Sequence, residues 1–390
     1  METEEFREHL ENHLIPFWNR LKDEENGGFY GYADSVGKPD KKAVKGAILN
    51  SRILWFYSSA YLTLKKPELL DMADHACDFL QKYCYDSQSG GVYWSVSFDG
   101  SVCDDTKHTY NQAFALYALS AYYRAGRNKK ALESARLIYA LIEERCRDTE
   151  GYLEAFLCDF TPASNEKLSE NGVLAERTMN TLLHVLEAYT EFYRIETSKM
   201  VGDSIRRILD IFKEKVYCPE KKICQVFFDK AYHPLLDLES FGHNIEASWL
   251  IDRACDILGD ENYKEAMVPV IKGLAESVYR NAFDRKQNAL NNEREGVRID
   301  TQKIWWVQAE AVTGFYNAYR KFPEKKEYLE AAERIWRFIR QYMVDSKSGE
   351  WLECVPQSGQ PDLGHPLVHP WKCPYHNGRM CMEMMCRLSE

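Results

Sequence analysis

The sequence predicts an all-α protein with the architecture of an (α/α)6 barrel, in which six helical hairpins supply six inner and six outer helices. A turn signal, an Asp followed within a few residues by Gly and an aromatic residue, opens at positions 23, 86, 148 and 345, and weaker versions open at 219 and 284. These starts lie 61 to 71 residues apart, and such a period indicates one repeated supersecondary unit. Apolar residues at i, i+3, i+4 and i+7 fill nearly every stretch between the turns, which predicts two helices per unit.

In chain order, the pattern predicts helices near residues 4–21, 46–64, 67–84, 108–124, 128–146, 175–195, 198–217, 243–258, 261–281, 302–320, 325–343 and 376–388. Odd and even members differ in charge. The eleventh has eight charged residues and one apolar stripe, whereas the tenth has only Lys303, Glu310 and Arg320. A helix that is polar on one face lies outside, and a helix that is apolar nearly all round is buried. We therefore expect residues 1–390 to form a single closed barrel domain; an open helical solenoid, whose repeats are usually shorter, is the alternative.

The composition limits the possible partners and location. The 390 residues include 50 Lys and Arg against 60 Asp and Glu, and the net charge of -10 has the wrong sign for binding phosphate backbones or anionic lipid. No stretch supplies the roughly 20 apolar residues of a membrane span, and the acidic start Met1–Glu5 does not resemble a signal peptide. Twelve Cys without a C-x-x-C pair favour reduced thiols. We expect a cytoplasmic protein that contacts neither nucleic acid nor membrane.

Polar residues recur near the same end of the predicted inner helices. Because all inner helices of such a barrel point the same way, these residues would converge on one pocket, and pairs such as His243 and Glu246 at i, i+3 share a helix face. A lone buried His is usually a satisfied core residue. Several His, Arg and Glu residues on apolar helices, however, each need a partner or a functional reason for burial. The converging residues are Arg52, Tyr110, Asn111, Asn180, His184, His243, Glu246, Trp306, Glu310 and His376.

Aromatic side chains lie in or beside the same predicted pocket. Ring faces stack on the apolar faces of sugars, so an aromatic-lined cavity in an acidic protein suits a neutral carbohydrate. Some of these rings would be ordinary core residues. The rings are those of Tyr110, Trp249, Trp305, Trp306, Trp371 and Tyr375.

The loop at 365–377 contains His and Cys residues that could be taken for a metal site. A structural zinc site normally closes with paired ligands at short spacing, however, and three prolines stiffen this loop. His243-x-x-Glu246 is also only a weak metal signal, so no metal is predicted. The sequence has no Gly-rich phosphate loop and no G-x-S-x-G elbow, which disfavours kinase-like and serine-hydrolase chemistry.

Six segments in order along the chain resemble the N-acylglucosamine 2-epimerase superfamily, and the resemblance covers essentially the whole sequence. Each segment alone would be weak support, but their joint order on the predicted inner helices is strong support. The contexts of Ser248 and Gln308 are most similar to members that act on disaccharides. The segments are Asn50–Trp55, Asp105–Ala113, Met179–His184, Phe241–Trp249, Lys303–Glu310 and Trp371–Asn377.

This resemblance implies reversible inversion at C2 of the reducing-end glucose in a small β-1,4-linked disaccharide, with neither an organic cofactor nor a metal. It makes His376 and His243 the acid/base pair, and we expect Glu246 to be the hydrogen-bond partner of His243. Arg52 and His184 would surround the reacting oxygens, and a monomer is expected. The expected catalytic residues are His376, His243, Glu246, Arg52 and His184, and the expected substrate-binding residues are Tyr110, Asn180, Trp249, Trp306, Glu310 and Trp371.

Imidazole suits this reaction because its ordinary pKa of about 6.5 makes acid and base forms accessible near neutrality. Our hypothesis is that His376 removes the C2 proton of glucose and that His243 returns one to the other face. An N-acylglucosamine 2-epimerase and an aldose-ketose isomerase on the same scaffold are the nearest alternatives. An (α/α)6 glycoside hydrolase with Glu246 and Glu310 as its two carboxylates is less favoured, as is a sugar-binding protein without catalysis.

Overall fold

In a computed structural model, which describes residues 1–360 and 362–389, the chain forms alternating inner and outer helices. The inner helices are α3 (Ala47–Leu64), α5 (Thr109–Gly126), α7 (Met179–Tyr193), α9 (Phe241–Leu258), α11 (Trp305–Lys321) and α13 (His376–Ser389). The outer helices are α1 (Thr3–His9) continued by α2 (Ile15–Asn19), α4 (Pro67–Phe79), α6 (Lys129–Leu141), α8 (Lys199–Ile211), α10 (Glu261–Asn281) and α12 (Lys326–Phe338).

The inner helices form a closed ring. Each packs against the next inner helix in the chain, and α13 packs against both α11 and α3. Each outer helix packs against an inner neighbour, as α4 does against α3 and α10 against α9. The contact between α13 and α3 closes the ring, so the (α/α)6 barrel prediction is confirmed and the open solenoid is wrong.

Five of the outer rods contain a π-helical turn. The turns are Leu10–Leu14, Leu80–Cys84, Ile142–Cys146, Phe212–Val216 and Ile339–Met343. Four of them extend an outer helix to the end predicted from the sequence.

The sixth predicted helix starts later than expected. It begins at Met179 rather than 175, because Arg177–Thr178 pairs with Phe227–Phe228 as a strand and the Thr178 hydroxyl caps the helix.

Short strands connect the helices at the end of the barrel where the inner helices begin. Within residues 1–360 and 362–389 they form seven small antiparallel sheets, ordered β1-β2-β3, β4-β5-β6, β10-β7, β8-β9, β11-β14-β15, β12-β13 and β16-β17. The strands are β1 (Lys45–Gly46), β2 (Ser95–Val96), β3 (Val102–Asp104), β4 (Lys107–His108), β5 (Ala155–Phe156), β6 (Pro162–Ala163), β7 (Arg177–Thr178), β8 (Tyr217–Cys218), β9 (Ile223–Cys224), β10 (Phe227–Phe228), β11 (Leu238–Ser240), β12 (Phe283–Asp284), β13 (Ala289–Leu290), β14 (Glu293–Glu295), β15 (Arg298–Asp300), β16 (Lys303–Ile304) and β17 (Cys354–Val355).

The Asp of the recurring turn signal has the same structural role in successive repeats, which is to hold the turn and to bind a cation. Its carboxylate accepts backbone N–H groups two and three residues later, as Asp86 does from Gln88 and Ser89. In four units it also pairs with a buried cation located two residues before the next inner helix. Each repeat thereby ties its turn to the start of an inner helix. These pairs are Asp23–Lys45 at 2.7 Å, Asp86–Lys107 at 2.9 Å, Asp148–Arg177 at 2.7 Å and Asp284–Lys303 at 3.1 Å.

The inner helices are buried on nearly all sides, and their apolar residues form the main core. Within the described residues, none of the helices combines the length and the apolar character that a bilayer crossing requires. Because the core is closed around the barrel axis, polar residues on the inner helices are held where water cannot replace their partners.

Candidate active site

A cavity of about 370 Å³ opens at the end of the barrel where the inner helices begin. This volume lies within the range of about 300–1,000 Å³ that small-molecule sites occupy. All six inner helices contribute to its wall or floor. Nine predicted site residues line it: Arg52, Tyr110, Asn180, His184, His243, Glu246, Trp306, Trp371 and His376.

The two predicted acid/base residues both lie against one indole ring. The ring centre of Trp306 is 4.8 Å from that of His243 and 5.4 Å from that of His376. The imidazole centres are therefore at most about 10 Å apart, the sum of those two distances. Both imidazoles can reach one small ligand in the cavity.

His376 opens α13 and has a carboxylate partner. Its Nδ1 lies 2.7 Å from Oε1 of Glu310 on the neighbouring inner helix. Because a carboxylate accepts, we assign the ring proton to Nδ1, which leaves the Nε2 lone pair free. Burial, together with the charges of Arg379 and Arg52, holds the pKa of His376 well below its ordinary value. The imidazole is thus neutral and able to act as a base.

His243 has a different partner from the one expected. Its Nδ1 is 2.8 Å from the Ser240 hydroxyl, which orients the ring, whereas Glu246 forms an ion pair with Arg379. The expected His243–Glu246 hydrogen bond is therefore wrong, because the Arg379 guanidinium draws the carboxylate of Glu246 away from the imidazole. Burial, followed by the nearby His184, lowers the pKa of His243 to about 3, so this ring is also neutral at physiological pH.

Glu246 still faces the cavity and has one free oxygen. Its Oε1 is bound by Arg379, while its buried Oε2 has no hydrogen-bond partner among the described residues. Burial and the neighbouring Glu310 raise the pKa of Glu246 above its ordinary value. A carboxyl group with a raised pKa and an unpaired oxygen can give or accept a proton at a ligand.

Arg52 provides positive charge at the floor of the cavity. Its Nη2 donates to the Tyr110 hydroxyl at 2.7 Å, and its Nη1 donates to the Trp371 carbonyl at 3.3 Å. The guanidinium carbon lies 4.2 Å from the centre of the Phe114 ring. Nearby, the Nδ1 of His184 is 3.0 Å from Oε2 of Glu187, which orients the other ring nitrogen. Arg52 can donate hydrogen bonds to ligand oxygens, whereas the ring proton of His184 faces Glu187 and its Nε2 lone pair can accept a hydrogen bond from a ligand hydroxyl.

Two predicted substrate-binding residues do not line the cavity. Trp249 is fully buried, and its Nε1 donates to Oε2 of Glu310 at 3.0 Å. Glu310 uses its other oxygen to bind His376 and Arg379. The structure therefore corrects the expectation that Trp249 and Glu310 contact the substrate directly. Both side chains lie in the layer beneath the cavity floor, where they support the residues that line it.

Sequence reasoning missed the cation at the centre of this layer. Arg379 is buried, and its Nη2 donates to Glu310 at 2.7 Å and also to Glu246, while its Nη1 bonds Glu187. The usable signal was its spacing of i, i+3 from His376, which places both on one face of α13. Several rim residues from loops and short strands were missed as well, because no periodicity marks them; these are Leu168, Glu170, Asn292, Glu293, Glu353 and His369.

The carboxylates of Glu246 and Glu310 lie near His376 in an arrangement that resembles a metal-binding cluster. The guanidinium of Arg379 already pairs with both carboxylates, so it occupies the position of a cation. Cys354, Asp362 and His365 form a second cluster in the rim loop. Two of its members are exposed, and exposed groups of this kind commonly bind no ion. The expectation that no metal or organic cofactor takes part stays a prediction.

A closed helical barrel with two neutral imidazoles, an arginine and aromatic rings around one cavity has the site expected of an enzyme that moves protons on a sugar. The sequence model of the family described as N-acylglucosamine 2-epimerase (GlcNAc 2-epimerase) matches residues 28–377 of this chain. The chain belongs to the N-acylglucosamine 2-epimerase family and is a carbohydrate epimerase or isomerase.

Individual relatives agree with this assignment. A cellobiose 2-epimerase from Ruminococcus albus is 48% identical over 388 residues, with 99% of each chain covered. The crystal structure of a sugar epimerase from a ruminal bacterium superposes with a TM-score of 0.96 at 47% identity, covering 99% of both chains. The structure of cellobiose 2-epimerase from Bacillus thermoamylovorans superposes with a TM-score of 0.94 at 44% identity, again covering 99% of both chains.

Proposed function

We propose that this chain is a cellobiose 2-epimerase, which reversibly inverts C2 of the reducing-end glucose in β-1,4-linked disaccharides. Cellobiose would become glucosyl-mannose, and lactose would become epilactose. The observation that carries this proposal is the pair of neutral imidazoles of His243 and His376, both close to Trp306 and both lining one cavity. Relatives that are 44–48% identical over nearly the full chain support it and carry the name cellobiose 2-epimerase.

The reaction must begin with ring opening. The C2 hydrogen is acidic only next to the free aldehyde carbonyl, which accepts the resulting negative charge as an enediolate. Opening moves a proton from the anomeric hydroxyl to the ring oxygen. His243 and Glu246 line the cavity as acid/base groups for this step, Glu246 through its unpaired Oε2.

Inversion then requires two proton transfers on opposite faces of C2. His376 removes the proton of glucose with the Nε2 lone pair that its bond to Glu310 leaves free. His243 returns to the other face the proton that it took from the anomeric hydroxyl during ring opening, a step in which Glu246 gives its own proton to the ring oxygen, and the roles exchange in the reverse reaction. Two bases that act on opposite faces of C2 would remove the need for the planar intermediate to turn over between the two transfers.

Negative charge develops on O1 and O2 of the enediolate. Arg52 is placed to donate hydrogen bonds there, His184 can accept one from a neighbouring hydroxyl through its Nε2 lone pair, and the six inner-helix N-termini add positive potential at the same end of the barrel. Donors that are already oriented stabilise the transition state more than the ground state. Tyr110 and Asn180 would contact sugar hydroxyls, while Trp306 and Trp371 would stack on the sugar rings.

The hydrolase alternative is disfavoured by the position of its second carboxylate. A glycoside hydrolase needs two carboxyl groups that flank the scissile bond. Glu310 does not line the cavity, and both Glu246 and Glu310 are bound by Arg379 on the floor side. The N-acylglucosamine epimerase and aldose-ketose isomerase alternatives differ only in where the proton returns and which sugar is admitted, so product analysis must separate them.

The test is incubation of the protein with cellobiose in deuterated water, followed by NMR of the products. We expect intact glucosyl-mannose with deuterium at C2. Free monosaccharide would indicate hydrolysis, a ketose product would indicate isomerisation, and retention of protium at C2 would contradict C2 proton abstraction with solvent exchange. A single catalytic domain, a monomer and a cytoplasmic location stay predictions.

A further inference from the structure

A second cavity, of about 580 Å³, opens at the opposite end of the barrel from the proposed sugar site. Its wall comes from the C-terminal halves of the inner helices, with α1 at one side. The proposed sugar cavity is formed by the other ends of the same helices. The charged residues that line this far-end cavity are Arg7, Arg124, Glu191, Arg194, Arg253, Asp256, Arg379, Glu383 and Arg387.

Arginines outnumber carboxylates in this wall. Arg124 and Arg194 share Glu191, with Arg194 at 3.4 Å, and Arg253 also lies 3.9 Å from it. A second carboxylate, Glu383, is shared in the same way by Arg253 and Arg387. Two carboxylates therefore pair with four guanidinium groups, and the third carboxylate of the wall, Asp256, lies 3.9 Å from Lys264, so positive charge is left over among the described residues of this wall in a protein whose net charge is -10.

The same arginines have hydrogen-bonding capacity to spare. A guanidinium has five N–H donors, yet Arg124, Arg194 and Arg253 each make one side-chain hydrogen bond within the described residues. The unused donors of these three arginines keep some accessible surface, because none of them is a fully buried atom without a partner. The wall also contains Arg379, whose buried Nε bonds to none of the described residues.

The electrostatic repulsion among the arginines of this wall is evident at Arg194. Burial, and then repulsion by Arg124 and Arg253, depresses the pKa of Arg194 in spite of its carboxylate partner Glu191. Like charges crowd around one opening, and a bound anion would relieve that repulsion.

Compensation of the inner-helix dipoles is the competing explanation, since cations are stabilising near helix C-termini. Such cations would donate to the terminal carbonyl groups. The described side-chain hydrogen bonds of Arg124, Arg194, Arg253 and Arg387 go instead to Glu191, Glu383 and Asn317. The dipoles therefore account for some of the positive charge but not for the unused donors.

We propose that the far-end cavity binds a phosphate group, either as inorganic phosphate or as the monoester of a small phosphorylated sugar. Guanidinium groups match phosphate oxygens with paired hydrogen bonds, and a dianion with several oxygens can use arginines from several helices at once. The volume of the cavity leaves room for a sugar attached to the phosphate. This site lies at the other end of the barrel from the proposed sugar site, shares only Arg379 with the layer beneath that site, and does not depend on the proposed function.

Binding is tested by calorimetry and thermal unfolding of the full chain with inorganic phosphate or glucose 6-phosphate, with sodium chloride holding the ionic strength constant. We expect saturable heat and a rise in Tm with at least one of these probes, and the tighter probe distinguishes free phosphate from a monoester. If neither probe binds beyond the chloride control, the proposal is wrong.

Location is tested with Arg194→Gln, which removes a charge from the cavity wall without touching the proposed sugar site. The matched control is Arg136→Gln, because Arg136 also pairs with a glutamate but lies outside the cavity. Loss of a charged hydrogen bond should weaken phosphate binding about tenfold in R194Q and leave R136Q unchanged. Equal affinity in the two variants would place the anion elsewhere.

A final experiment uses the native protein alone to determine in which of the two cavities phosphate binds. Saturating cellobiose should leave the dissociation constant of phosphate unchanged if phosphate binds at the far end. A rise in that constant in proportion to cellobiose concentration would mean that phosphate occupies the sugar cavity, and it would overturn the proposal.

Discussion

The imidazole of His376 and the carboxylate of Glu310 meet across two neighbouring inner helices, with Nδ1 and Oε1 2.7 Å apart. Glu310 is held in turn by Trp249 and Arg379. The proton is thereby held on Nδ1, which leaves the Nε2 lone pair unused on a ring that lines the sugar cavity. A base whose ring cannot turn needs no reorganisation at the moment of proton transfer.

Glu310→Gln tests this relationship. The amide keeps the shape of the side chain but loses the negative charge that holds the Nδ1 proton, so we expect kcat to fall by on the order of 100-fold with a smaller change in KM. Trp249→Phe is the matched control, since it removes the indole hydrogen bond to Glu310 and leaves the bonds from His376 and Arg379 in place. A kcat in E310Q equal to that of W249F would show that the charge beside His376 does not matter.

Replacement of either imidazole should abolish epimerisation. We expect His376→Asn and His243→Asn each to lower kcat by about 10²–10⁴-fold, the usual contribution of a general acid or base. Circular dichroism and Tm should show an intact barrel. Turnover at the native rate in either variant would remove that residue from the mechanism.

The depressed pKa values predict the pH dependence of activity. Because burial lowers the pKa of both His376 and His243, the rings stay neutral below pH 6.5, and the acidic limb of the kcat profile should lie below that value. Initial rates with cellobiose between pH 4 and 8 provide the measurement. A limb at or above pH 6.5 would mean that the rings are solvated and cationic in the complex.

The same shift affects stability, with a defined sign. The pKa of His243 is about 3 in the folded chain, against an ordinary value of 6.5, so the unfolded chain binds more protons between these pH values. Stability should therefore fall as the pH drops below 6.5. The fall should be shallower in His243→Asn, as measured by urea unfolding at pH 7 and pH 5. Identical slopes in the two proteins would contradict a buried neutral ring.

Trp371 provides a test of sugar binding at the rim. Its ring is 37% exposed at the cavity mouth and lies 6.0 Å from the ring of Trp94. We expect Trp371→Ala to raise KM for cellobiose about tenfold, because ring stacking is lost, with little change in Tm. An unchanged KM would show that this ring does not bind the substrate.

The repeated ion pairs predict a stability effect far from the chemistry. Lys107→Met would leave the buried carboxylate of Asp86 without its cation, at a cost of about 3–5 kcal/mol in the free energy of unfolding. Lys199→Met removes an exposed pair with Asp203 and should cost less than about 1 kcal/mol. Similar urea midpoints for the two variants would show that the turn-to-helix pairs do not stabilise the barrel.

The sequence by itself determined the number, order and approximate bounds of the helices, because apolar periodicity and the Asp–Gly turn are local properties of the chain. It also placed His243 and His376 on helices that converge, since inner helices that point the same way bring their first turns together. Residues such as Leu168 and Asn292, on irregular segments, carry no such local signal.

Only the tertiary structure decided which polar side chains reach the cavity. Helical spacing assigns a residue to a face, but its depth in the barrel depends on how far neighbouring helices shift along their axes. Trp249 and Glu310 therefore lie beneath the floor although they share a face with cavity residues. Glu246 binds Arg379 rather than His243 because the competing cation comes from a helix 133 residues further along the chain, a contact that no local pattern encodes.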